Sequence, residues 1–212
     1  LAECQARSVG AGQYFVAALR AFLRFAHVEG LIGADLSAAA LAVTGRRRST
    51  LPLGITAADA RAILDSCDRR SVIGLRDYAI IVLLLRLGLR RSEVAGLRLD
   101  DIDWRSGALV VRGKGSRSDR LPLPADVGQA IADYCRDGRR NGGCRSLFLC
   151  SQAPYGGLSR SGIAQVVARA CERAGLPRIG THRLRHSAAT GMRAAGAPLF
   201  EIGQVLRHRH VA

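Results

Sequence analysis

Lysine is almost missing from this chain: of 32 basic residues only Lys114 is not arginine. Arginine keeps its proton near neutral pH, whereas a lysine can give it up. Acidic residues are also scarce, 17 against 32 basic ones, which leaves a net charge of +15. Charge of that size repels itself and points to a polyanionic partner, nucleic acid first and an anionic membrane second. On charge alone, a basic but inert protein from an arginine-rich proteome is the alternative. Long apolar runs are missing too. The longest, Ala79–Leu85, spans seven residues and ends at Arg86, whereas a membrane-crossing helix needs roughly 20. No basic stretch followed by an apolar one opens the chain as a secretory signal would. It starts at Leu1 and is read as a piece of a longer protein. The six cysteines are scattered and include no C-x-x-C pair, which argues against zinc and against a disulfide framework. Buried, reduced thiols in a cytoplasmic protein are the expectation.

What is present is globular. Hydrophobic residues make up 48% of 212, enough for one good core or a core with a small satellite domain. Gly12–Glu29 carries Phe15, Leu19, Phe22, Leu23 and Phe25 near helical spacing, with Gly30 as its stop. A shorter helix is predicted over Leu36–Val43. Thr44–Gly54 contains Arg46, Arg47 and Arg48 followed by Ser, Thr, Pro and Gly, which is linker composition. Thr56 with Asp59 three residues on predicts a capped helix over Ala57–Ser66. Val72–Leu87 reads as a core-buried helix, and Arg90–Leu97 as a short one after Gly88.

The period then changes. Ala108–Arg112 and Arg120–Leu123 form a hairpin with Gly113-Lys114-Gly115 near its turn. Helical patterns resume over Ala125–Arg136, Ser159–Ala174, Thr181–Ala195 and Pro198–Arg207. The predicted fold class is mainly α with a small antiparallel β-sheet (α+β), in two parts, 1–50 and 51–212.

Three clusters suit chemistry on a phosphodiester. Metal-free cleavage needs donors for the charge growing on the non-bridging oxygens, and bidentate guanidinium groups suit it. It also needs a proton for the departing oxygen, from lysine or histidine. His182 and Arg185 stand at i, i+3 on one predicted helix face, at an N-terminus that favours phosphate. Arg90 starts a helix with Glu93 at i+3 to hold its guanidinium. Leu206-Arg207-His208 follows near the end. Taken alone, H-x-x-R is usually a solvated face, and Arg90–Glu93 a surface ion pair.

In this order and spacing, the set resembles the tyrosine recombinase (phage integrase) family. Gly88-Leu89-Arg90-x-Ser92-Glu93 is similar to the segment bearing that family's first catalytic arginine, which implies Arg90. Gly113-Lys114-Gly115 in a hairpin matches its catalytic lysine, so the chain's one lysine falls on the general acid. His182-x-x-Arg185 matches the second signature box, and His208 the family's last histidine. The resemblance covers about Thr56 onward, with Gly12–Val43 similar to the later part of a core-binding domain.

Two departures stand out. Arg207 replaces the usual glycine before His208. The nucleophilic tyrosine normally follows that histidine by about nine residues, and the 212 residues hold only Tyr14, Tyr78, Tyr134 and Tyr155, none of them in that place.

The resemblance implies a partial helical core-binding domain and a catalytic domain closing on double-stranded DNA. It implies strand exchange through a 3′-phosphotyrosyl intermediate, without metal or nucleotide cofactor, by a homo-oligomer (a tetramer on paired sites). Arg90 and Arg185 would clamp the phosphate, Lys114 would protonate the leaving group, and His182 and His208 would assist. The 212 residues alone are expected to bind DNA without cutting it. Candidate DNA contacts are Arg46, Arg47, Arg48, Arg112, Arg117, Arg183 and Arg207. Arg139, Arg140, Arg169 and Arg173 are further candidates. A non-catalytic DNA-binding regulator or decoy, a type IB topoisomerase-like enzyme and a helix-turn-helix regulator are the competing readings. Asp100, Asp101 and Asp103 read as solvated or capping groups rather than a metal cluster, and Trp104 as core.

Overall fold

The computed structural model describes residues 9–43, 54–113 and 118–207, apart from the side chains of residues 9 and 10. The chain divides into two compact units, Leu1–Leu51 and Pro52–Ala212. In the first, helix α1 (Val9–Val28) ends at Gly30, whose φ of 72° is the left-handed conformation that glycine adopts at no steric cost. One 3₁₀ turn follows, Leu36–Ala39, capped by Asp35. Arg20 reaches across to the Ala40 carbonyl at 2.9 Å and ties the two together. The helix predicted over Leu36–Val43 is only this single turn.

The second unit is built around α3 (Val72–Arg86), after α2 (Ala57–Asp65). Ala79–Leu84 is sealed from solvent at 0–4% exposure because apolar residues cover every side of that stretch of helix. Around it pack α5 (Ala125–Asp133), α6 (Arg160–Arg173) and α7 (Thr181–Ala194). The capping box read from Thr56 and Asp59 is present in both directions. Helix α4 (Arg91–Gly96) and the last described helix, α8 (Leu199–Val205), complete the helical part. The mainly helical α+β class is as expected.

The sheet has three antiparallel strands, β1 (Ile102–Asp103), β2 (Ala108–Arg112) and β3 (Ser118–Pro122), in the order β1-β2-β3. Leu109 pairs with Leu121, and both side chains enter the core with Val111. The two-residue β1 is too short to show a period and was not predicted. Helix α5 stops at Asp133 and passes into a π-type turn, Tyr134–Gly138, in place of the single helix expected to Arg136.

Several charged groups serve the fold. Arg76 and Asp77 form a buried ion pair at 2.8 Å, with Arg76 also donating to the Leu149 carbonyl. Asp100, Asp101 and Asp103 pair separately with Arg145, Arg112 and Arg120. Trp104, read as core, is 53% exposed, because it sits in the turn joining β1 to β2. Among the described residues no helix is long and apolar enough to cross a membrane. All five described cysteines are free thiols.

Gly74 gives a test of the packing at the start of α3. Within a helix, alanine normally outranks glycine by about 1 kcal/mol. Here an added Cβ would lie 1.9 Å from the Asp68 carbonyl oxygen and 2.9 Å from Ser71 Oγ. Gly74→Ala should therefore cost about 1–3 kcal/mol in urea unfolding. A gain in stability would contradict this packing.

Candidate active site: an arginine cluster around Glu93

Helix α3 ends at Leu87, and the chain turns at Gly88 with φ 57°. A Cβ there would lie 2.6 Å from Leu206 Cδ2 and 3.3 Å from Ala188 Cβ. Only glycine allows both the turn and the close approach of α7 and α8. Two residues later Arg90 occupies the N-cap of α4, where a carboxylate on the third helical residue is favoured by the free N–H groups and the helix dipole. Glu93 supplies it. Its Oε2 accepts the Arg90 backbone N–H at 2.7 Å, and its Oε1 accepts Arg90 Nη1 at 2.7 Å. The Glu93 side chain is buried at 4% exposure, while that of Arg90 stays 38% exposed.

Arg185 enters from α7. It is buried, donating through Nη1 to the Gly88 carbonyl and through Nη2 to the Leu206 carbonyl. It thereby ties the end of α3 to the end of α8. Arg207, at the turn beyond α8, completes the cluster. Its Nη2 donates to Glu93 Oε2 at 2.6 Å, and its own carbonyl accepts Arg90 Nη2 at 3.2 Å. Two guanidinium groups therefore share one carboxylate, with Arg185 bonded to carbonyls beside them, a local excess of positive charge.

The electrostatics follow from that excess. Burial and then the charge of Arg90 push Arg185 down to about 10, with Arg207 acting in the same direction and Glu93 opposing. It stays protonated at neutral pH. Burial alone would raise Glu93, but the bonds and charges of Arg207 and Arg90 hold it below the ordinary glutamate value. Such an arrangement suits an anion with several oxygens, since each oxygen can accept from a fixed donor.

Arg90 and Arg185 are thus brought together, as the motifs required. His182 is exposed on the first turn of α7, and Arg185 is buried. Residues three apart lie about 60° apart around a helix, and the core boundary passes between these two. Arg183 donates to the Gly54 carbonyl at 3.3 Å. Arg112 is half exposed at the end of β2 and bonds Asp101 at 2.6 Å. Lys114 and Arg117, in the connection from β2 to β3, lie outside the described residues, as do Arg46, Arg47, Arg48 and His208.

Two expected phosphate contacts donate to backbone carbonyls, Arg173 while remaining exposed. Arg139 donates to the Leu147 and Ser146 carbonyls at 3.1 and 2.8 Å and holds the loop that carries them. Arg173 donates to the Ser66 carbonyl at 3.0 Å. Arg140 stacks over Tyr155, 4.1 Å from the ring centroid. The motifs did not foretell that Gly88 and Leu206 would lend carbonyls to Arg185. Only the glycine before Leu89 hinted at a close approach.

The Glu93 interactions can be read by titration. An unpaired glutamate titrates near 4.5. Because the folded value is lower, Glu93 adds stability above that pH, which is lost as the pH falls through the folded value. Between about pH 5 and pH 3, wild-type stability should fall more steeply than that of Glu93→Gln. Parallel slopes in thermal or urea unfolding would contradict the pairing.

Known proteins align with this chain. The model of the phage integrase family matches residues 54–212. A putative integrase/recombinase of Sinorhizobium fredii, y4rA, is 49% identical over 92% of the chain. Tyrosine recombinase XerD of Mycobacterium tuberculosis is 35% identical over 92% of it. The chain spans about half the length of y4rA (48%) and 64% of XerD. Among solved structures, a lambda integrase dimer bound to a COC' core site superposes with a TM-score of 0.70. The match is 19% identical over 95% of this chain and 73% of that one, a likeness of fold. With the Arg90, Glu93 and Arg185 boxes in order and the fold matched, the chain belongs to the phage integrase family of tyrosine recombinases.

Proposed function

We propose that the intact protein is a site-specific DNA recombinase, cutting and rejoining strands through a 3′-phosphotyrosyl intermediate. The observation that carries this reading is the meeting of Arg90 and Arg185 beside a single carboxylate. Guanidinium groups of this kind neutralise the charge that grows on a phosphate during in-line displacement. In that step a tyrosine oxygen bonds to phosphorus, and the bond to the 5′ oxygen breaks. Lys114 gives the departing oxygen its proton, while His182 and His208 assist in proton transfer and phosphate binding. Arg46, Arg47, Arg48, Arg112, Arg117 and Arg183 contact the backbone elsewhere.

The partner is double-stranded DNA, in the cytoplasm. The basic charge supports this, and the lambda integrase and a Tn1549 transposon integrase are described in complex with DNA. The first unit acts as part of a core-binding domain, and the working assembly is a tetramer on paired sites.

The three tyrosines of the second unit have partners other than the cluster. Tyr134 is buried and its hydroxyl accepts the Leu149 N–H, Tyr78 lies under Arg69, Tyr155 lies under Arg140, and Tyr14 is on α1. The 212-residue chain by itself therefore binds DNA without cleaving it.

Two measurements test the reading. Binding of the 212-residue chain to a duplex should weaken steeply between 50 and 200 mM salt, by about 10³-fold if six phosphates are neutralised. A flat salt response would remove DNA as the partner. In the intact protein, Arg185→Ala should lower cleavage by about 10²-fold or more, with little change in site affinity. Equal losses in both would refute the clamp.

A further inference from the structure

Arg207 stands where the resemblance leads one to expect glycine, and it adopts a glycine-like backbone. Its φ is 54°, and among the described residues it is the one non-glycine with positive φ. For a residue with a Cβ, that conformation costs about 1–2 kcal/mol and persists where the surroundings enforce it. The surroundings here are specific. The Arg207 side chain is 8% exposed, with Nη2 on Glu93 Oε2 at 2.6 Å and Nη1 on the Val205 carbonyl at 3.0 Å. Its carbonyl is held by Arg90 Nη2. A side chain placed to meet DNA would project outward from this turn. This one folds in and grips the carboxylate that orients Arg90.

We propose that Arg207 is a positioning residue of the phosphate site, fixing Glu93 and the turn beyond α8 so that Arg90 is held at a set distance from Arg185. The inference rests on the phosphate-clamp reading above and replaces the expectation that Arg207 touches DNA. It has a mechanical basis. Both Glu93 oxygens are shared between donors on two elements. Oε1 accepts Arg90 Nη1 and, at 3.4 Å, Arg207 Nε; Oε2 accepts the Arg90 backbone N–H and Arg207 Nη2. Without Arg207 the carboxylate keeps only its bonds to Arg90 and loses its tie to the turn beyond α8. The same link registers the end of α8 against Arg90.

Variants separate backbone from side chain. Arg207→Gly suits a φ of 54° and keeps the carbonyl, but removes the guanidinium. In the intact protein it should lower strand cleavage at pH 7.5 by about tenfold or more, with unchanged affinity for the site. Its acid limb of cleavage against pH should also move to higher pH. The charged groups that face Glu93 are Arg90 from α4, Arg207 from the turn beyond α8 and Arg185 from α7. Without Arg207, burial raises the glutamate, so that it protonates and lets go of Arg90 sooner.

Glu93→Gln, combined with Arg207→Gly, should abolish that shift. Arg207→Lys, which keeps the charge, should restore part of the rate. Wild-type cleavage and an unmoved acid limb in Arg207→Gly would overturn the proposal. Loss of site binding in step with cleavage would also overturn it and restore Arg207 as a DNA contact. If Arg207→Gly fails to fold, Arg207→Lys decides: cleavage below the wild-type rate with unchanged site affinity supports the proposal, and a wild-type rate, or binding lost in step with cleavage, defeats it. Arg185→Ala run in parallel keeps the two claims apart, since normal cleavage there removes the clamp itself.

Discussion

A single buried carboxylate holds this structure's reactive region together. Glu93 lies on the first turn of α4, where free N–H groups and the helix dipole favour negative charge. It binds Arg90 from its own helix and Arg207 from beyond α8, beside Arg185, whose proton affinity is lowered by burial and by the charge of Arg90. Three like charges would not gather without it, and one carboxylate does not cancel three. On the proposed reading the remainder is a demand for an anion, with the donors already oriented. Preorganisation of that kind matters in catalysis because no reorganisation is left for the moment of reaction.

Most of what surrounds Glu93 exists to hold it still. The sealed stretch Ala79–Leu84 fixes α3, and α3 fixes the turn at Gly88. Arg185 then binds that turn and the end of α8 at once. The cluster therefore inherits its rigidity from the core rather than from its own loops. The abundance of arginine also looks different in this light. Arg76, Arg139 and Arg173 spend their donors on backbone carbonyls or on Asp77. Part of the +15 charge is therefore structural.

Much of this was legible in the sequence, for reasons that are local. The cap at Thr56, the apolar run through α3 and the alternation in β2 are short-range signals, and each element formed where its pattern lay. Arg90 and Glu93 could be paired because i, i+3 on a helix is a fixed distance. Long-range facts were not legible. Nothing in an Arg-Arg pair says that Arg139 will turn to four backbone carbonyls. Trp104 reads as core by its residue type, yet its turn leaves it half exposed. The burial of Arg185 depends on where α3 and α8 end in space. Arg207 was visible as an arginine in place of glycine, but the sequence could not say which way it pointed.

The central claim is geometric, and a geometric measurement tests it most directly. A structure of this chain bound to duplex DNA should show one phosphate whose oxygens lie about 3 Å from both the Arg90 and the Arg185 guanidinium groups. Glu93 should remain on the opposite side of Arg90. Two different phosphates on the two arginines, or a cluster turned away from the DNA altogether, would contradict it.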